Sequence, residues 1–133
     1  MKTISLREPF ASLVKEGIKK TETRSWQTKY RGELYIHASK RKLTKKDEVV
    51  YKKILDFLND LDFKYGYIIA KCQLVDCVLI DQKFIKKINK KDYLCGDYQV
   101  GRYAWFLEEI EVLDVPIIAK GQLGIWEYKK NRN

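Results

Sequence analysis

Lys19, Glu22, Arg24 and Trp26 place an ammonium, a carboxylate, a guanidinium and an indole in one short run of chain. Together such groups can read a nucleobase. Arg offers a planar donor fork to phosphate or guanine, a carboxylate accepts exocyclic amino protons, and an indole gives a stacking face worth roughly 1–3 kcal/mol per base. The same residues also admit hydrolysis, which needs an activated nucleophile or water, a base and an electrostatic stabiliser within mutual reach. Lys19, Glu22 and Asp97 are the acid, base and electrostatic candidates for it. The plain structural alternative is a Glu22–Arg24 ion pair bracing a sheet, with Trp26 in the core.

A second constellation lies far away in sequence: Cys95-Gly96-Asp97-Tyr98 followed by Gly101-Arg102-Tyr103-Ala104-Trp105. Its glycines allow close approach of backbone to a ligand, and Tyr98, Arg102 and Trp105 supply charge and aromatic surface beside it. The alternative is a turn whose aromatics plug one end of the fold. Both constellations combine a guanidinium with an aromatic, so Arg24, Trp26, Tyr98 and Arg102 are expected to share one ligand pocket onto which Lys19 and Glu22 open. His37 is the single histidine, and it points away from the apolar face of its strand; it is either a structural group or a further ligand contact. Cys72, Cys77 and Cys95 form no Cys-x-x-Cys pair, so neither a zinc site nor any other metal or cofactor requirement is expected, and free thiols suit a reducing compartment.

These residues need elements to hold them. Residues 3–6 read as a strand, Pro9 as the first position of a helix carrying Phe10, Leu13 and Val14 on one face, and Gly17 as its stop. Residues 20–26 read as a strand with Glu22, Arg24 and Trp26 on one face, because side chains two apart share a side. Residues 32–39 alternate as a half-buried strand. Thr44 and Asp47 make a capping box for a helix carrying Val50, Ile54, Phe57, Leu58 and Leu61. Residues 67–80 form a long strand that needs a bulge near Val75 and Asp76 to keep its phase. A short helix is expected within 82–91, then two strands, 103–113 and 117–128, joined through Pro116. The sum is an α+β fold, a curled or barrel-like sheet of about five or six strands with helices at its ends.

The 133 residues carry 27 Lys and Arg against 18 Asp and Glu, a net charge of +9. With 45% hydrophobic residues, a disordered polyelectrolyte is excluded and residues 1–133 are expected to form one domain. Lys40, Arg41 and Lys42, and the lysines between 83 and 91, concentrate positive field and suit a phosphate backbone, so RNA, single-stranded nucleic acid or a nucleoside is the expected partner. A lysine-rich solvated face without a polyanionic partner is the competing account of the same charge. No run approaches the roughly 18 apolar residues of a membrane span, and the start lacks the apolar stretch of a signal peptide, so the cytosol is the expected location.

The run Ser5-Leu6-Arg7-Glu8-Pro9-Phe10-Ala11-Ser12-Leu13, the pattern Gly17-x-Lys19-x-x-Glu22-x-Arg24-x-Trp26, Tyr30-Arg31-Gly32 and the later Gly-Arg-Tyr-Ala-Trp and Pro-Ile-x-Ala-Lys-Gly segments resemble the ASCH domain, the homology domain named after the activating signal cointegrator. The resemblance covers nearly the whole chain. It implies a β-barrel similar to the PUA domains of RNA-modifying enzymes, with a cleft beside the Gly-x-Lys-x-x-Glu-x-Arg segment, and it adds Arg31 to the candidate binding residues. The family's activities as implied here are nucleic-acid binding, amidohydrolysis of N4-acetylcytidine and ribonuclease action. In the amidohydrolase branch the Lys is followed three positions later by a Thr nucleophile, whereas here Glu22 follows Lys19. Binding is therefore the leading expectation, metal-independent hydrolysis the second and a protein-interaction module the third.

Overall fold

A computed structural model describes residues 1–130. Among the described residues the chain runs β1 (Lys2–Leu6), α1 (Phe10–Lys15), β2 (Thr21–Arg24), β3 (Gly32–Ala38), α2 (Lys45–Val50), α3 (Lys52–Leu55), β4 (Tyr67–Leu79), α4 (Gln82–Lys87), α5 (Lys90–Leu94), β5 (Tyr103–Ile118) and β6 (Ile125–Glu127). The six strands form one curled half-barrel sheet in the order β2-β5-β4-β3-β1-β6, consistent with an α+β PUA-like barrel. β1 and β3 are parallel, and the remaining pairs are antiparallel. β2 and β6 are the two ends of the sheet, so a seam is left between β2 and the β1–β6 edge.

The alternation read in β3 is the core's scaffold: Leu34, Ile36 and Ala38 are buried against Ile4, Leu6, Ala70, Cys72, Leu74 and Trp105. The expected bulge in β4 is present. Leu74 faces Leu107 and Asp76 faces Phe106, which leaves Val75 as the extra residue. A second apolar cluster joins Leu13 of α1 to Ile54, Leu58 and Cys95, and so fixes α1, α3 and the turn after α5 to one another. Cys72, Cys77 and Cys95 are buried free thiols.

Four elements depart from their expected form. Pro9 is the N-cap of α1, not its first helical residue, and the orphan amides of that first turn go to Arg7 O and to the buried Glu8 carboxylate, which accepts from Ser12 N at 2.8 Å and Ser12 Oγ at 2.7 Å. The helix capped by Thr44 and Asp47 breaks at Tyr51, leaving Val50 and Leu61 exposed while Ile54 and Leu58 are buried. Two β-branched valines weaken its last turn, and Tyr51 turns instead onto Phe10, ring edge to ring face at 5.3 Å. The first of the two strands expected around Pro116 runs on through the proline as β5, and the expected 117–128 strand is split between the end of β5 and the short β6. Val112 faces Ala70 and Ile117 faces Ile68, so Pro116 lies in a wide bulge where its missing N–H interrupts no ladder bond. The lysine-rich 82–91 stretch is divided between α4 and α5, each opened by its own side-chain cap, Asp81 and Asn89.

Candidate functional site

The cleft begins with a glycine. Gly17, at φ +75°, occupies the left-handed region after α1, and the amides of Ile18 and Lys19 both return to Leu13 O. That turn drives Lys19 inward until it is 2% exposed, where its Nζ donates to Cys95 O at 2.6 Å and stands 3.5 Å from Glu22 Oε1. The other Glu22 oxygen accepts from Arg24 Nε at 2.9 Å, and Arg24 Nη2 donates to Ser5 O at 2.9 Å. A continuous polar relay thus runs from the turn after α5, through β2, to β1. It crosses the seam between the ends of the sheet with side chains where no strand pairing exists. Burial pushes the Lys19 ammonium below its ordinary pKa of 10.5, opposed chiefly by the Glu22 charge.

From the other side, Arg102 Nε donates to Asp97 O at 3.0 Å and Arg102 Nη2 to Thr23 O at 3.2 Å, while Asp97 N donates to Thr23 Oγ1 at 3.0 Å. Lys19, Glu22, Arg24, Asp97 and Arg102 therefore line one cleft of about 470 Å³. Sequence reasoning missed Arg7 as a cleft residue. Its Nη2 is 3.3 Å from Asp47 Oδ1, its guanidinium lies 5.5 Å from the centre of the Tyr51 ring, and its Nε is buried with no hydrogen-bond partner. The available signal was its place in the Ser5–Leu13 run, beside the Glu8 that organises α1. Four cationic side chains against two carboxylates give the cleft wall a positive balance.

The aromatic half of the expected pocket lies elsewhere. Trp26 follows the end of β2, so the two-residue alternation no longer holds there; its ring stands edge-on to Trp105 at 4.7 Å and lines a separate cavity with Lys2 and Tyr30. Trp105 is wholly buried in the main core, its Nε1 donating to Trp26 O at 3.4 Å. Tyr98 is buried between Phe84 and Tyr93, stacked at 5.9 Å on each, and burial pushes its phenol up to about 12. Trp105 and Tyr98 are packing groups, Trp26 stands part-exposed at the separate cavity, and the cleft has Phe10 and Tyr51 in their place.

Arg31 braces its own loop, with Nη1 donating to Thr28 O and Tyr30 O, and does not line the cleft. Lys40, Arg41 and Lys42 are exposed on the loop after β3. His37 is 1% exposed and both ring nitrogens are engaged. Nε2 lies 2.8 Å from Ala119 O, an acceptor only, and Nδ1 lies 2.9 Å from Ser5 Oγ, which also receives Trp126 Nε1–H at 3.1 Å. The carbonyl requires the proton on Nε2, so Nδ1 accepts the Ser5 hydroxyl. His37 thus positions Ser5 and has no nitrogen left for a ligand.

The half-barrel with a cationic cleft at its seam defines the class as a PUA-like α+β domain. The ASCH domain model matches residues 4–117, and the chain belongs to the ASCH domain family. The chain is 34% identical over 92 residues to human Activating signal cointegrator 1, a match covering 63% of this chain and 15% of that protein. Against the mouse protein of the same name it is 32% identical over 83 residues, covering 56% of this chain and 14% of that one. Among the described residues no helix is long and apolar enough to cross a membrane.

Proposed function

We propose that this ASCH domain binds RNA, or a nucleotide unit of it, in the cleft at the seam of the half-barrel. The observation that carries the reading is the convergence of Arg24 and Arg102, each held by two hydrogen bonds from its own Nε and Nη2 while further N–H groups remain for a ligand. Side chains fixed in advance avoid the roughly 0.5–1.5 kcal/mol per group that ordering costs on binding. Glu22 orients Lys19 and Arg24 and retains lone pairs that can accept amino protons from a base. The phosphate-bearing part of the ligand matches the positive balance of the wall, and the net charge of +9 adds long-range attraction.

Fluorescence anisotropy with labelled single-stranded RNA tests this reading. Arg24→Ala and Arg102→Ala should each weaken binding about tenfold, an interaction of roughly 1.4 kcal/mol. The double variant should lose less than the sum because the two residues share a ligand. Unchanged affinity in both single variants would exclude the cleft, and capture of protein without RNA would favour an interaction module.

A hydrolytic reading rests on one further observation: the buried Lys19, its pKa lowered by burial, lies 3.5 Å from Glu22 on the cleft wall. Such a pair can hold and move a proton. Release of cytidine and acetate from N4-acetylcytidine, persisting in chelator and lost in Glu22→Gln, is the expected signature. RNA retained unchanged by the protein would leave binding alone.

A further inference from the structure

On the far side of Ser5 from the cleft lies a second cavity of about 460 Å³, walled by Ser5, His37, Lys40, Lys120 and Gly121. We infer that this cavity holds the phosphate next along the chain from the nucleotide in the cleft, so that the ligand is a single-stranded oligonucleotide of at least two units. The inference rests on the nucleotide-binding reading of the cleft and adds a second subsite to it.

The first argument is continuity. Ser5 belongs to the walls of both cavities. Its carbonyl is held by Arg24 on the cleft side and its hydroxyl by His37 on the other. One residue therefore separates the two sites, a spacing that consecutive nucleotides of an extended strand can bridge.

The second argument is charge. No carboxylate lines the second cavity, and neither Lys40 nor Lys120 has an acidic partner within ion-pair distance among the described residues, whereas Lys64 and Lys71 elsewhere on the surface do. Lys40 is also placed in advance, because its methylene stem lies across the backbone of Gly66. Burial is the main cause holding the His37 pKa below its ordinary value, and the Lys40 charge adds to it as a minor one. With both His37 nitrogens committed to Ser5 and Ala119, the two lysines are the cationic groups this cavity offers to an anion.

The third argument is shape. Gly121 lies so close to the pair that a Cβ there would stand 2.9 Å from Ser5 Oγ and 3.0 Å from His37 Cε1. The glycine lets the 119–124 backbone close down beside Ser5 and carry Lys120 to the rim. Leu123, 97% exposed at the same rim, offers an apolar face on which a base can lie.

The experiment titrates 3′-fluorescein octauridylate with the full chain at several salt concentrations. Four variants accompany the wild type: Lys40→Ala with Lys120→Ala, Lys86→Ala with Lys87→Ala as a charge-matched control on α4, and Arg24→Ala as the control for the cleft, together with Arg24→Ala added to the first pair. All the lysines are exposed, so folding is preserved. The Lys40/Lys120 pair should weaken binding about tenfold at low salt and flatten the slope of log K against log salt by about 0.7 for each phosphate left without its lysine, beyond any change in the Lys86/Lys87 pair. Combined with Arg24→Ala, the loss should show coupling, as for two groups gripping one strand. Equal behaviour of the two lysine pairs, with Arg24→Ala still weakening binding, would overturn the second subsite and leave the cleft intact. Full effect of Lys40/Lys120 with none from Arg24→Ala would overturn the cleft reading and with it a ligand joining the two sites. A wild-type chain that fails to bind the probe would overturn both.

Discussion

Replacing Glu22 by Gln removes the one negative charge that Lys19 and Arg24 share. Gln keeps the shape but presents an amide whose NH2 group cannot accept from either cation. Its single carbonyl oxygen can serve Lys19 or Arg24 but not both, and Lys19, 2% exposed, loses its counter-charge while keeping the Cys95 carbonyl. Breaking a buried pair by removing one member typically costs about 3–5 kcal/mol. Arg24, with a side chain 24% exposed, recovers part of its hydration, which lowers the expectation to about 2–4 kcal/mol. Lys19→Met is the opposite case. It leaves Glu22 paired with Arg24, places an apolar chain beside Phe10, and leaves Cys95 O unsatisfied, a loss of about 1–3 kcal/mol. The double variant should then cost about as much as Lys19→Met alone, so the coupling equals the Glu22→Gln cost, about 2–4 kcal/mol. Urea denaturation at pH 7 of the four proteins measures the cycle. Additive losses, or a Glu22→Gln cost below about 1 kcal/mol, would refute the view that Glu22 is the counter-charge for a buried ammonium.

Two more expectations concern the supports of the site. Burial holds His37 below its ordinary 6.5, so the unfolded chain binds more protons near that pH; its contribution to stability is in place above 6.5 and is lost as the pH falls through the lower folded value. Glu8, raised from 4.5 by burial, acts in the opposite sense, so the measured quantity is the difference between wild type and His37→Gln, which should narrow on acidification below 6.5; parallel pH–stability curves would contradict it. Asn89→Ala removes the cap that accepts from Asp92 N at 2.8 Å and should cost about 1 kcal/mol, with faster hydrogen exchange at the Asp92 amide; unchanged exchange would mean that α5 is held by packing alone.

What the sequence disclosed divides by range. Glu22 and Arg24 share a face because they are two apart on a strand, the Val75 bulge follows from a phase break in apolar alternation, and the Thr44–Asp47 box is a three-residue pattern. Each is a local relation that composition and spacing carry. Trp26 fails by the same logic, since alternation extends only as far as the strand, and β2 stops at Arg24. The fate of Tyr98 was beyond local reading: whether its ring meets a ligand or the core depends on Phe84 and Tyr93, which two helices bring to it from both sides. Arg7 was hidden for a similar reason, because its partners Asp47 and Tyr51 come from the next helices along the chain.

The seam explains why this motif is polar at all. β2 pairs with β5 and β6 pairs with β1, so between the two ends of the sheet no ladder of backbone hydrogen bonds holds the barrel together. At one level of this gap Trp26 and Gly124 face each other across a cavity. At the level of Ser5 the closure is instead Lys19 to Glu22 to Arg24 to Ser5 O, a chain of charged groups left partly open to solvent on the cleft side. Charges in such a place are costly to bury without further partners. Their unused donors are accordingly the groups that an incoming phosphate or base edge would satisfy. On the binding reading proposed above, the ion pair that braces the sheet and the ligand surface are one structure, and the cost of Glu22→Gln in stability and of Arg24→Ala in binding measure its two faces.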